Sequence, residues 1–284
     1  MKIAVLSGKG GTGKTTVSNN LAALLPDATL IDCDVEEPNS HIFMNPEINL
    51  EEDVQVCFPV INEENCIHCR KCATFCNYNA IIASSNMTLP MKEICHDCGG
   101  CALVCEYDAI NYEYRRIGKI FSGNSRFSTK LVYGSLKTGE LSGVKIINRL
   151  KEITKDDPLV ILDSPPGTSC STVATLEGCD YALIVTEPTP FGVSDMKMVV
   201  EMLKEMKIPF AVVINKAGLG DNEVFEYCRS ENLKIMGEFP FDQNIAQAYA
   251  VGKLAIEVNS EIRNSYYALW ERIQNKVEAL YGNK

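Results

Sequence analysis

The 284-residue chain has no apolar run near the roughly 18 to 20 residues that a membrane-spanning helix requires. Its opening residues, MKIAVLSGKGG, lack the apolar h-region and small-residue cleavage site of a signal peptide, so a soluble, cytoplasmic protein is expected. Positive charge is scarce as well: 27 Lys and Arg stand against 37 Asp and Glu, a net charge of −10. Affinity for a phosphate backbone comes from clustered cations that release counterions, so no nucleic-acid partner is expected. Length, with 46% apolar and 23% charged residues, suits one large globular domain or two modest ones.

Cysteine, by contrast, is abundant. Thirteen occur in a chain with no sign of secretion, a setting where clustered thiols bind metal or catalyse more often than they pair as disulfides. Eight of them lie within residues 66–105, leaving Cys33, Cys57, Cys170, Cys179 and Cys228 elsewhere.

Short apolar runs at Ile3–Ser7, Thr29–Asp32, Leu159–Asp163, Tyr181–Thr186, Phe210–Asn215 and Lys234–Phe239 each suit a buried parallel strand. Helical periodicity lies between them, at Thr15–Leu25 and at Ser194–Met206, with Ser194 as the expected N-cap. A last helix is expected over about Glu261–Leu280, and its near balance of acids and bases favours packing on the sheet over a membrane surface. The alternation predicts an α/β fold with a doubly wound, mostly parallel sheet and ligands at the carboxyl ends of its strands.

Residues 57–112 break that rhythm and read as an insertion between two parts, 1–56 and 113–284, of one α/β domain. The inserted stretch repeats itself at 29 residues: CIHCRKCATFCNYNAI from Cys66 aligns with CHDCGGCALVCEYDAI from Cys95. The segment Tyr112–Leu136, rich in Gly, Ser and Tyr, predicts irregular or hairpin structure, followed by a helix over Ser142–Lys155.

Gly8-Lys9-Gly10-Gly11-Thr12-Gly13-Lys14-Thr15 satisfies the P-loop pattern G-x-x-x-x-G-K-[ST] between an expected strand and an expected helix. Such a loop turns backbone N–H groups toward phosphate oxygens, with Lys14 reaching the β- and γ-phosphates and Thr15 ligating Mg²⁺. Lys9 is not required by that pattern. GKGGTGKTT with the additional lysine, ending in Thr16, resembles the deviant P-loop of the MinD, ParA, Mrp and nitrogenase iron-protein superfamily. That resemblance implies a MinD-like P-loop ATPase working as a nucleotide-sandwich dimer, in which Lys9 crosses to the partner's nucleotide. It further implies that Asp34, in Asp32-Cys33-Asp34, positions the attacking water, and that Asp163, in Asp163-Ser164-Pro165-Pro166-Gly167, holds Mg²⁺ through water. Asn215 resembles the family's adenine-contacting asparagine, and Pro240-Phe241-Asp242 the loop lining the base on its other side. ATP is expected over GTP, because Gly218 stands where N-K-x-D would have its aspartate.

The cysteines follow C-x2-C-x2-C-x3-C twice, the spacing of bacterial two-cluster ferredoxins. That likeness implies two [4Fe–4S] clusters, one held by Cys66, Cys69, Cys72 and Cys105 and the other by Cys95, Cys98, Cys101 and Cys76. Zinc or redox thiols are the alternative. Asn77 and Glu106 replace the proline that often follows the fourth cysteine, and neither His68 nor His96 is needed as a ligand. Cys170 lies seven residues past Asp163, the offset at which the nitrogenase iron protein has a cluster cysteine. Packing as a small apolar residue is the other reading. The whole resembles MinD-type ATPases carrying an inserted ferredoxin domain. The implied tasks are iron–sulfur or metallocofactor assembly, ATP-gated electron donation, or positioning in the manner of MinD, with a homodimer or paralogue partner and a metallocofactor or redox client.

Overall fold

The computed structural model describes residues 1–282. In chain order its strands are β1 (Lys2–Leu6), β2 (Thr29–Asp32), β3 (Glu47–Ile61), β4 (Ile81–Ala83), β5 (Thr88–Pro90), β6 (Ile110–Asn124), β7 (Lys130–Leu136), β8 (Val160–Asp163), β9 (Tyr181–Thr186), β10 (Phe210–Ala217) and β11 (Ile235–Pro240). The chain passes back and forth between two compact units. The first comprises Met1–Glu52, Ile120–Ser135 and the chain from Gly143 onward; the second comprises Asp53–Lys119 and Leu136–Ser142.

One sheet runs β11-β10-β9-β1-β8-β2-β7-β6-β3. Its pairs from β11 through β7 are parallel. Every residue of β2, β8 and β9 is buried, as expected of strands covered on both faces. Successive side chains point to opposite faces, so Ile3, Val5, Leu183 and Val185 enter one core, and Ala4, Leu6, Ala182 and Ile184 the other. Helices Lys14–Ala23 and Ser260–Tyr281 pack into the first core, and helix Pro190–Met206 into the second. From helix Ser260–Tyr281, Ile262, Tyr266, Leu269, Ile273 and Val277 are buried, each worth about 1.5–3 kcal/mol if fully removed from water. The chain leaves β1 toward β2 on one side and returns through β8 to β9 on the other. That reversal opens a crevice at the carboxyl ends of β1 and β8.

One expectation is corrected. Helix Pro190–Met206 begins a turn before Ser194; Thr189 is its N-cap, its hydroxyl accepting from Gly192 N–H at 3.1 Å, with Pro190 in the first turn. Proline has φ preset for that position and no N–H to leave unsatisfied, so the helix extends past the apolar period. The stretch after Tyr112 takes the hairpin form of the two expected: β6 and β7 flank a turn at 125–129, too short for a parallel crossover, in which Ser125 N–H donates to the Thr129 carbonyl.

The second unit contains the antiparallel pair β4–β5 and two short helices, Lys71–Phe75 and Gly100–Leu103. The sequence repeat is also a backbone repeat. His68 and Asp97 have φ of 55° and 53°, Arg70 and Gly99 68° and 71°, and Asn79 and Asp108 52° and 47°. Among the described residues no helix is long and apolar enough to cross a membrane.

Candidate functional site

In the first unit, the loop between β1 and helix Lys14–Ala23 bounds a cavity of about 480 Å³. Of the residues singled out from sequence, it gathers Lys9, Gly10, Gly11, Thr12, Gly13, Lys14, Thr15, Thr16, Asp34, Asn215, Pro240, Phe241 and Asp242. Gly8 is not part of the lining; a Cβ there would lie 2.3 Å from the Asp195 carbonyl oxygen. Gly13 has φ of +91°, and its Cβ would lie 2.0 Å from Asn215 Nδ2. A side chain at Gly13 is thus excluded by conformation and by space.

Asp163, at the end of β8, is fully buried, and Lys14 Nζ reaches its Oδ1 at 3.1 Å. Burial opposes the charge on Lys14, but Asp163, Asp32 and Asp34 outweigh it and hold the ammonium above its ordinary pKa. The other oxygen, Asp163 Oδ2, is buried without a hydrogen-bond partner. The Thr15 hydroxyl stands 3.4 Å from the same Lys14 Nζ, and a hydroxyl with an orphaned carboxylate oxygen is a donor set of the chemistry that suits Mg²⁺.

Asp32 is also fully buried and accepts from the backbone N–H groups of Asp34, Asn39 and Ser40 at 3.1, 3.0 and 2.9 Å. Burial, then the charge of Asp163, pushes its pKa up to about 7 against those donors. Asp34 is raised too, by burial foremost, with Lys14 opposing.

At the far end, Asn215 Nδ2 donates to the Thr12 carbonyl at 2.8 Å, tying β10 to the phosphate loop. Asp242 caps helix Gln243–Ala250, accepting from Asn244 N–H at 2.7 Å, and so fixes the turn that carries Pro240 and Phe241.

Glu187 was not singled out from sequence. It pairs with Lys9 at 2.7 Å and with Lys216 at 3.0 Å, while Lys216 Nζ donates to the Gly11 carbonyl at 2.8 Å. Burial favours its neutral form, but the two lysines outweigh burial and lower its pKa. The only sequence signal was position, one residue past β9 at the sheet's carboxyl edge.

In the second unit all eight tract cysteines are free thiols around two cavities. Cys66, Cys69, Cys72 and Cys105 line one; Cys76, Cys95, Cys98 and Cys101 line the other. Each cavity thus draws three cysteines from one tract and the fourth from the other. Apolar side chains complete them, Ile61, Ile67 and Ile110 in the first and Pro59, Phe75 and Ile81 in the second. Among the described residues no three His, Cys, Asp or Glu side chains converge as ligands of a single metal ion. Cys170 is exposed in the first unit, the first residue of helix Cys170–Leu176.

A twisted, mostly parallel sheet with a phosphate loop after β1 and an aspartate ending β8 defines an α/β P-loop NTPase of MinD-like fold. The chain belongs to the CobQ/CobB/MinD/ParA nucleotide-binding domain family, whose model matches residues 3–256. It is 35% identical over 282 residues to an uncharacterised protein of Methanocaldococcus jannaschii, with 96% of each chain covered. It is 23% identical over 306 residues to the iron–sulfur cluster carrier protein of Pyrococcus abyssi, covering 100% of this chain and 88% of that one. The cell division ATPase MinD of Pyrococcus furiosus superposes with a TM-score of 0.60 at 19% identity, over 96% of this chain and 98% of that one, a likeness of fold alone.

Proposed function

We propose that this chain is an ATP-binding and ATP-hydrolysing iron–sulfur protein that acts, as a nucleotide-gated dimer, in iron–sulfur or metallocofactor assembly. The observation that carries the reading is the pair of cysteine cavities, since four thiols surround each and the fourth is exchanged between tracts. That is the ligand set of two [4Fe–4S] clusters in an inserted ferredoxin-like domain spanning about 57–112. The carrier name of the Pyrococcus abyssi relative supports assembly as the task.

At the phosphate loop, N–H groups of Gly10, Gly11, Thr12 and Gly13 meet phosphate oxygens, and Lys14 exchanges Asp163 for the β- and γ-phosphates. Thr15, and Asp163 through water, would hold Mg²⁺, which would supply charge neutralisation at the phosphates. Asp34 positions the attacking water. Lys9 leaves Glu187 to reach the nucleotide of the partner subunit, a copy of this chain or a paralogue, and stabilises charge there. Asn215 and Pro240-Phe241-Asp242 flank the base.

The exchanged fourth cysteine favours a second reading, ATP-gated electron donation to a redox client. A cluster tied to both tracts cannot leave without loosening the other site. Bound clusters supply one-electron chemistry; the thiols of Cys66 to Cys105 and their apolar surroundings hold them and exclude water.

Anaerobic incubation of loaded protein with an apo-acceptor of [4Fe–4S] clusters separates the two. The assembly reading expects iron to move to the acceptor in an ATP-dependent manner. Iron retained in full, with a dye acceptor reduced only when ATP is present, overturns assembly in favour of electron donation.

A further inference from the structure

The backbone repeat lets the two cysteine cavities be compared position by position, and their charges differ. Arg70 and Lys71 line the first cavity; their repeat partners are Gly99 and Gly100. In place of His68, the second tract has Asp97, a carboxylate lining the second cavity and accepting from the Cys57 thiol. Since φ at these paired positions agrees within a few degrees, the side chains and not the path of the chain make the difference.

Both sites also have donors close to sulfur. Cys66 Sγ has His68 Nδ1 and Thr88 Oγ1 each at 3.6 Å. At the second site the Ala80 N–H donates to Cys76 Sγ at 3.3 Å, while Cys101 Sγ has the Tyr112 hydroxyl at 3.4 Å, which donates its one proton to the Gly99 carbonyl at 3.0 Å. Lys71 is paired with Glu106 at 2.5 Å, both largely exposed, which diminishes its contribution. Arg70 is exposed as well, but among the described residues it enters no ion pair that would offset its charge.

Adding an electron makes a thiolate-held cluster one charge more negative, so nearby cations and sulfur-directed donors favour reduction and a carboxylate opposes it. Resting on the reading that each cavity holds a [4Fe–4S] cluster, we propose that the two sites are inequivalent. The site of Cys66, Cys69, Cys72 and Cys105 takes up the first electron; Arg70 raises its potential, and Asp97 lowers that of the other. Each uptake is a one-electron addition from an external low-potential donor, with no bond to a ligand made or broken.

The test is an anaerobic dithionite titration of the full, reconstituted chain followed by electron paramagnetic resonance. The native protein is expected to reduce in two steps separated by more than tenfold in equilibrium constant, about 59 mV for one electron. Arg70→Gly, which takes the left-handed backbone without strain, should lower the upper step and leave the lower one in place. Asp97→Asn, also tolerant of that backbone, should raise the lower step alone. Iron content of each variant establishes that both sites are filled. Coincident steps in the native chain, an Arg70→Gly shift confined to the lower step, or steps that neither substitution moves would overturn the inference. Absence of iron and acid-labile sulfide from the reconstituted native chain would overturn the cluster reading itself.

Discussion

Two lysines in one loop have different partners, and that difference assigns them different work. Lys14 is buried against Asp163, whereas Lys9 is held on the cavity wall by Glu187. Lys14→Ala is expected to weaken ATP binding about a hundredfold, the scale of a lost charge-assisted hydrogen bond. Lys9→Ala should leave binding partly intact while lowering turnover by about 10³ or more, as loss of an arginine-finger group does. Equilibrium dialysis and steady-state phosphate release separate the two. Unimpaired hydrolysis by Lys9→Ala contradicts the sandwich-dimer role.

Asp32 supplies a pH dependence. Its folded pKa of about 7 lies above the unfolded value of 3.8, so the folded state retains a proton that the unfolded chain has lost. The stability this contributes is full below about pH 4 and is lost as pH rises toward 7. Urea midpoints of the nucleotide-free chain should therefore fall between pH 5 and 7.5, and Asp32→Asn should flatten that fall. An equal slope in both proteins contradicts the assignment.

At the scale of elements, β2 and β9 were legible to the residue because their apolar runs are short, unbroken and bounded by polar residues. The phosphate loop was legible because its chemistry depends on spacing within nine consecutive residues, Gly8–Thr16. Glu187 was not, since its meaning comes from two lysines on other segments, Lys9 and Lys216. The long strand β3 was missed, and β6 was left between irregular and hairpin structure, because their exposed stretches blur the alternation of buried residues such as Val54, Val56, Ile117 and Ile120. Thr189 was overlooked as a cap because Pro190-Phe191-Gly192 does not read as a helical turn. Thr189→Ala is expected to cost about 1 kcal/mol, read as a lowered urea midpoint at unchanged slope. A change below about 0.3 kcal/mol, nearer the cost of replacing a cap by glycine, removes Thr189 from that role.

For the whole molecule, two kinds of site share one chain: a phosphate-binding cavity in the first unit and two four-cysteine cavities in the second. The tract spacing made the cysteine grouping readable in advance; the charge difference between the cavities needed coordinates, because it depends on which side chains face inward. Iron, sulfide and nucleotide content distinguish a cluster-loaded ATPase from a chain filled in any other way. Protein reconstituted and purified anaerobically is analysed for iron, acid-labile sulfide and bound nucleotide on the same sample. Two cubes of four irons and four sulfides require about eight of each per chain, alongside one ATP per phosphate loop. Full occupancy by zinc with no sulfide, at unchanged ATP binding, would contradict it.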